Sequence, residues 1–286
     1  MQPFDLIKRL ERAKALDPFA GRVQNAVGTY VQPQALRDVL HGVPIGHPAH
    51  PMLVQVPIGA WLSAALLDRV SGAEKSADTL LAVGVAAAVP AALSGAVDFS
   101  EQNPEHARVG LVHALSNSAG LMLFVASLAA RATGRRRLGR RLALLGVGSV
   151  SVGGILGGHI SFHQAGGANH AQDVPDRVAA GWHPVCPMAD LADGKGVRKM
   201  VGDVPVFVLR SGSDVVILAD LCSHLSGPLH EGTVTGSGRD RCVVCPWHGS
   251  TFRLRDGSVV HGPATAPQPV FEVRISGDMV EAALKH

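Results

Sequence analysis

The chain has 286 residues, of which 47% are hydrophobic and only 17% charged, and its formal net charge is +3. That length allows one large or two medium domains, and so small a charge, with no basic stripe interleaved with stacking aromatics, excludes a nucleic-acid partner. Four cysteines are too few for a disulfide scaffold in a chain this long, which leaves metal binding as the use of at least two.

Residues 1–50 read as a polar segment. Within it, FDLIKRLERAKAL (residues 4–16) spaces its apolar side chains at helical intervals and predicts an amphipathic surface helix. The basic start followed by a long apolar run that marks a signal peptide is missing. Four apolar stretches follow within residues 51–163, at 52–67, 79–97, 109–130 and 142–162, each near the length that spans a bilayer. Their Gly, Ala and Ser content suits close helix packing in lipid. Four buried helices of a soluble bundle would also be apolar, but the charge-free length of these stretches and the charged breaks between them favour an α-helical transmembrane four-helix bundle.

Residues 164–181, QAGGANHAQDVPDRVAAG, read as a linker of small and polar residues. From Trp182 the texture changes to short β-branched runs separated by Gly, Asp and Ser, with strands expected at 204–209, 215–219 and 271–275. Residues 182–286 are therefore a small all-β domain.

Two loops of that domain concentrate the chemistry. CSHLSGPLHEG holds Cys222-x-His224 and CVVCPWHGS holds Cys245-x-x-His248, with twenty residues between the pairs. One thiolate and one imidazole from each loop converge on a single site. Two thiolates suit a ferric iron bridged by sulfide to a second iron, and two neutral imidazoles suit that second iron. A structural zinc ion accepts the same four donors, so the ligands alone do not decide.

The surroundings do. The opening HPVCPMADL, the hairpin DVPVFVLRSGSDVVILAD, both ligand loops and the proline-bearing tail GPATAPQPVFEVRI together resemble the Rieske [2Fe–2S] domain from about residue 182 to the end of the chain. The resemblance implies Cys222 and Cys245 on one iron, His224 and His248 on the other, and a hydroxyl from Ser250 hydrogen-bonded to a cluster sulfur. Where the respiratory-complex branch has two further cysteines joined as a disulfide, this chain has Gly227 and Trp247, and where that branch has tyrosine it has Phe252. Both departures imply the ferredoxin-like branch and a potential in the lower part of the family's span of about −150 to +300 mV. Cys242 reads as a strand residue, Cys186 as a small buried side chain, and His230 and His261 as solvated loop histidines. No catalytic base is expected.

Helices joined by short loops run antiparallel, which sorts their ends onto two faces. The face that carries both termini receives His47, His50, Asp98, His106, His113, His159 and His163. This region resembles an uncharacterised family of bacterial four-helix membrane domains through its HPxHP start and the GGH near the last stretch, a likeness that implies a shape and no activity. Ionisable groups inside a membrane mark function; the expectation is that His113 and His159 ligate a b-type haem, with a quinone pocket or plain helix capping as the alternatives. The other face carries RATGRRRLGRR, whose six arginines mark it as cytoplasmic. The cluster domain is thereby expected outside the bacterial plasma membrane. Arg140-Arg141, ahead of a glycine-rich stretch, resembles an internal twin-arginine export signal; Lys8, Arg9, Arg12 and Lys14 in the N-terminal segment count against that orientation.

The sequence thus predicts a membrane-bound Rieske protein that passes single electrons to a redox partner protein or a quinone. The alternatives are an electron-transfer subunit of a larger oxidoreductase, with a haem or quinol site in the bundle, and a membrane redox sensor. Substrate oxidation by this chain alone is not expected, because an oxygenase needs a further domain with a two-histidine, one-carboxylate iron site.

Overall fold

The computed structural model describes residues 3–285. The chain divides into two compact units, Met1–Pro33 with Ala49–Gly166 and Gln34–Pro48 with Gly167–His286.

The first unit opens with α1 (Pro3–Glu11) and α2 (Asp17–Tyr30). The single helix expected over residues 4–16 breaks because Asp17-Pro18 starts a new helix, with Pro18 in the first turn, where its missing N–H costs nothing. Asp17 is held there by Arg108, whose Nε donates to its carboxylate at 2.6 Å. Residues 34–41 form α3 (Gln34–His41), which belongs to the second unit. Segment 1–50, read from sequence as one polar stretch with one helix, thus supplies helices to both units.

The bundle follows: α4 (Ala49–Leu53) running into α5 (Gln55–Leu67), α6 (Glu74–Ser100), α7 (Pro104–Ala132) and α8 (Arg136–Gly158), which continues as a π-helical turn at His159–His163. The spans are longer than the apolar stretches because polar caps extend them. Asn103, for example, caps α7 by accepting the His106 N–H at 3.1 Å. Trp61 of α5 stacks on Phe124 of α7 with ring centres 4.1 Å apart, and Ala64, Leu81, Ala88 and Ala143 close the core around them. Large apolar side chains also face outwards: Met122, Leu145 and Ile155 are exposed. All four spans are long and apolar enough to cross a membrane.

At one end of the bundle the charges pair. Arg131, buried, donates to Asp68 and Asp78 at 2.8 Å each, Arg136 donates to Asp78, and Arg140 lies 3.6 Å from Asp68. Three of the six arginines read from sequence as an orientation signal are thus also structural.

The second unit is built on two antiparallel sheets. The strands are β1 (His183–Pro187), β2 (Gly196–Val201), β3 (Val204–Ser211), β4 (Asp214–Ala219), β5 (Thr233–Thr235), β6 (Cys242–Val244), β7 (Thr251–Arg253), β8 (Val259–His261), β9 (Val270–Ser276) and β10 (Met279–Leu284). Six of them form a sheet in the order β1-β10-β9-β4-β3-β2, and β5-β6-β7-β8 form the smaller sheet. Tight hairpins at Gly202-Asp203, Gly212-Ser213 and Gly277-Asp278 set the register of the larger sheet. Beyond the short helix α9 (Val174–Arg177) the expected linker is not free: Ala171 and Val174 are buried in the core with Val206, Val208 and Ile217.

Candidate metal centre

The ligand loops leave the two sheets at one place. Residues 222–228 follow β4, and residues 245–250 join β6 to β7. Each loop is closed by backbone bonds across its neck, Cys222 N–H to Gly227 O at 2.8 Å and Cys245 N–H to Ser250 O at 2.8 Å.

Inside these loops the four expected donors come together as two pairs, thiol with thiol and imidazole with imidazole. Cys222 and Cys245 are buried and share a hydrogen bond between their thiols. That bond and burial push the Cys222 thiol up. The same bond, with the N–H groups of Trp247 and His248, brings Cys245 down to about 7 against the opposing effect of burial. The backbone N–H groups of His224, Trp247 and His248 are the contributions that favour anionic sulfur here. The His224 and His248 rings stand perpendicular with centres 5.1 Å apart. Two imidazoles on one tetrahedral metal, with bonds of about 2.0–2.1 Å and a ring radius of about 1.1 Å, have centres about 5.2 Å apart. The residues present therefore fit a two-metal group, with the two thiolates on one metal and the two imidazoles on the other.

Gly227 is required here by close approach. A Cβ on it would lie 2.7 Å from Cys245 Sγ and 3.2 Å from the Trp247 indole. The positions read as substitutes for a disulfide do face one another, with the indole over the glycine.

A third loop, residues 262–269 between β8 and β9, is sewn to both ligand loops. Ser250, fully buried, hydrogen-bonds Cys222 and accepts the Ala264 N–H at 3.0 Å. Ser223 Oγ donates to Ala266 O at 2.8 Å. Gln268, also buried, accepts the Ser223 N–H at 3.0 Å and donates to Ala219 O and Leu221 O. A neutral amide with donor and acceptor both used lets this one side chain tie the third loop to three backbone groups of residues 219–223. The sequence marked Ser250 but not Gln268, because glutamine in a proline-rich loop carries no local signal.

His230 and His261, read from sequence as solvated loop histidines, each have a carboxylate partner, His230 half-buried and His261 exposed as read. His230 Nδ1 lies 2.8 Å from a carboxylate oxygen of the fully buried Asp220, which also accepts the His230 N–H. His261 Nδ1 lies 2.9 Å from Asp38 of α3, whose other oxygen accepts the Gly262 N–H at 2.9 Å. Burial tends to raise the Asp38 carboxyl, but hydrogen bonds from His261, Gln34 and Gly262 hold it below the usual range. Cys242 and Cys186 are buried, as read.

In the bundle, His113 and His159 have different partners. His113 of α7 meets His50 of α4, with ring centres 6.2 Å apart. His159 Nε2 lies 2.8 Å from Glu11, and its ring sits 4.6 Å from that of His163. The second pairing joins α1 to the π-helical turn, a long-range contact that spacing alone does not reveal.

Residues 181–272 match the Rieske [2Fe–2S] domain, and residues 46–170 match a predicted membrane protein family, DUF2231. The ferredoxin subunit of anthranilate 1,2-dioxygenase from Burkholderia cepacia is 33% identical over 108 residues, which is 38% of this chain and 96% of that protein. The ferredoxin component of biphenyl 2,3-dioxygenase from Rhodococcus jostii (strain RHA1) is 33% identical over 96 residues, 34% of this chain and 86% of that protein. Among solved structures, the ferredoxin of carbazole 1,9a-dioxygenase from Nocardioides aromaticivorans IC177 aligns at 27% identity with a TM-score of 0.34, covering 36% of this chain and 99% of that one.

Proposed function

The chain belongs to the Rieske [2Fe–2S] family, joined to a predicted membrane domain, and from that premise we propose that it is a membrane-bound carrier of single electrons for a redox partner protein. When bound at Cys222, His224, Cys245 and His248, the cluster supplies a one-electron couple. The observation that carries the reading is the converging donor set, two thiols in contact and two imidazoles 5.1 Å apart, in a domain whose relatives are ferredoxin subunits.

The protein's own residues supply the rest. Ser250 and the N–H groups of His224, Trp247 and His248 direct hydrogen bonds at the sulfur side, which favours the electron-rich state. His224 and His248 are only half buried, and beside them Trp247 is 56% exposed next to exposed Pro246. An apolar patch at the imidazole side is where a partner protein would dock, and transient redox encounters use small interfaces of this kind.

On this reading residues 51–163 anchor the protein in the bacterial plasma membrane and residues 182–286 carry the cluster. The exposed Arg135, just ahead of α8, and Arg137, in its first turn, favour a cytoplasmic loop and a cluster domain outside. Labelling Arg137→Cys tests this: reaction with an impermeant maleimide only after the cells are opened fits, and reaction on intact cells sinks it.

The function itself is tested by stopped-flow reoxidation of the reduced, detergent-purified protein. Reoxidation by cytochrome c, slowed at least tenfold by Trp247→Asp in the docking patch, is expected of a carrier to proteins. Fast reoxidation by a soluble quinone analogue instead would favour a quinol-linked oxidoreductase subunit.

A further inference from the structure

The bundle holds a repeated device. His50 Nδ1 lies 2.8 Å from the carbonyl of Ala91 on α6, and a Cβ on Gly95, four residues on, would meet the His50 ring at 2.7 Å. His113 Nδ1 lies 2.7 Å from the carbonyl of Gly153 on α8, and a Cβ on Gly157, again four residues on, would meet the His113 ring at 2.9 Å. In both cases an imidazole from the start of one span is seated over a glycine of the neighbouring helix. The Nδ1–Cε1 edge lies against that helix, and of the three nearest ring atoms Nε2 is the farthest, at 3.3 and 4.0 Å. Nδ1–H donation to a carbonyl fixes the tautomer that leaves Nε2 as a lone-pair donor, the arrangement found on metal-bound histidines.

Interhelical hydrogen bonding alone accounts for either histidine. It does not require the two to meet. Their ring centres are nevertheless 6.2 Å apart, at an interplanar angle of 78°. Two imidazoles on opposite sides of one metal, with bonds of about 2.0–2.1 Å and a ring radius of about 1.1 Å, have centres about 6.3 Å apart. Asn117 does not occupy either lone pair. Its Nδ2 is 3.4 and 3.3 Å from the two His113 ring nitrogens, near-equal distances that place it over the ring face, and it donates to His113 O at 3.0 Å.

We propose that His50 and His113 are the two axial ligands of an iron porphyrin bound within the helical unit. Among the described residues no group of three His, Cys, Asp or Glu with their ligand atoms within 4.8 Å of one another includes His50 or His113, so no third ligand of these types joins the pair. Two neutral imidazoles at the separation of axial ligands, in an apolar bundle, complete a metal only when it brings its other four donors with it, as a porphyrin does. The assignment replaces the pair expected from sequence: His113 keeps its role and His50 takes the place of His159. It does not depend on the cluster reading, since the ligands and the spectrum are the bundle's own.

The test is haemin titration of the full chain purified in detergent from haem-deficient cells, read by the Soret and α bands, with the reduced cluster's EPR signal as a check on folding. The proposal expects one haem per chain with a six-coordinate low-spin spectrum. His50→Ala and His113→Ala should each give a five-coordinate, high-spin spectrum and bind haemin at least tenfold more weakly, and added imidazole should restore the low-spin form. His159→Ala should leave the spectrum unchanged. Should either alanine variant lose the EPR signal as well, Gly95→Ala and Gly157→Ala, which crowd the rings without removing them, take their place and should weaken binding. No stoichiometric haem, a low-spin spectrum indifferent to His50 and His113, or loss of that spectrum with His159→Ala would each overturn the assignment.

Discussion

Around the cluster site, single side chains set the redox properties. Ser250 is the clearest case, because its hydroxyl is fixed by the Ala264 N–H while it hydrogen-bonds Cys222. Removing a donor to sulfur destabilises the reduced state more than the oxidised one. A difference of about 1 kcal/mol for one hydrogen bond is about 40 mV for a one-electron couple. Ser250→Ala should therefore lower the midpoint potential by roughly that amount with the cluster retained, as read by potentiometric EPR titration. An unchanged potential would mean that the hydroxyl serves only the third loop. Phe252, buried where a relative's tyrosine would add a donor, points the same way, towards the lower part of the Rieske range.

At the scale of elements, two contacts can be tested by one substitution each. Asp38 ties α3 to the third loop through His261 and Gly262. A carboxyl whose folded pKa is depressed contributes stability that is complete above its unfolded value, near 4, and is lost as pH falls through the lower folded value. Stability of the cluster domain should therefore decline below about pH 4. Asp38→Asn should cost about 1–3 kcal/mol at neutral pH and flatten that decline, measured by denaturant unfolding across pH. In the bundle, Asp68 and Arg131 are both buried and paired. Asp68→Asn leaves a buried guanidinium short of its partner and should cost about 3–5 kcal/mol, seen as earlier thermal unfolding in detergent.

For the whole molecule, the order of its parts was legible from texture alone: apolar spans, then β-branched runs, then two Cys/His loops. The four proposed ligands could be picked from sequence because their chemistry is local, each cysteine lying within three residues of its histidine. What stayed hidden was long-range. Gln268, Asp38 and Glu11 act on residues tens to hundreds of positions away, and no spacing rule joins them. The bundle histidines fall between the two cases, since their shared end followed from antiparallel helices, while the pairing of His113 with His50 needed the helix packing. In the N-terminal segment, apolar pattern gives no guide to the buried face of α3, because Leu36 and Val39 are exposed and its buried side chains are Arg37 and His41.

The central claim is that this chain holds a Rieske cluster and uses it for single electrons. EPR-monitored redox titration of the full protein in detergent, with iron and zinc determined on the same sample, tests that most directly. Two irons per chain, a rhombic signal on one-electron reduction and a midpoint in the lower part of the range of about −150 to +300 mV are the expected result. One zinc and no reducible signal, or a midpoint near the top of that range, would contradict the account.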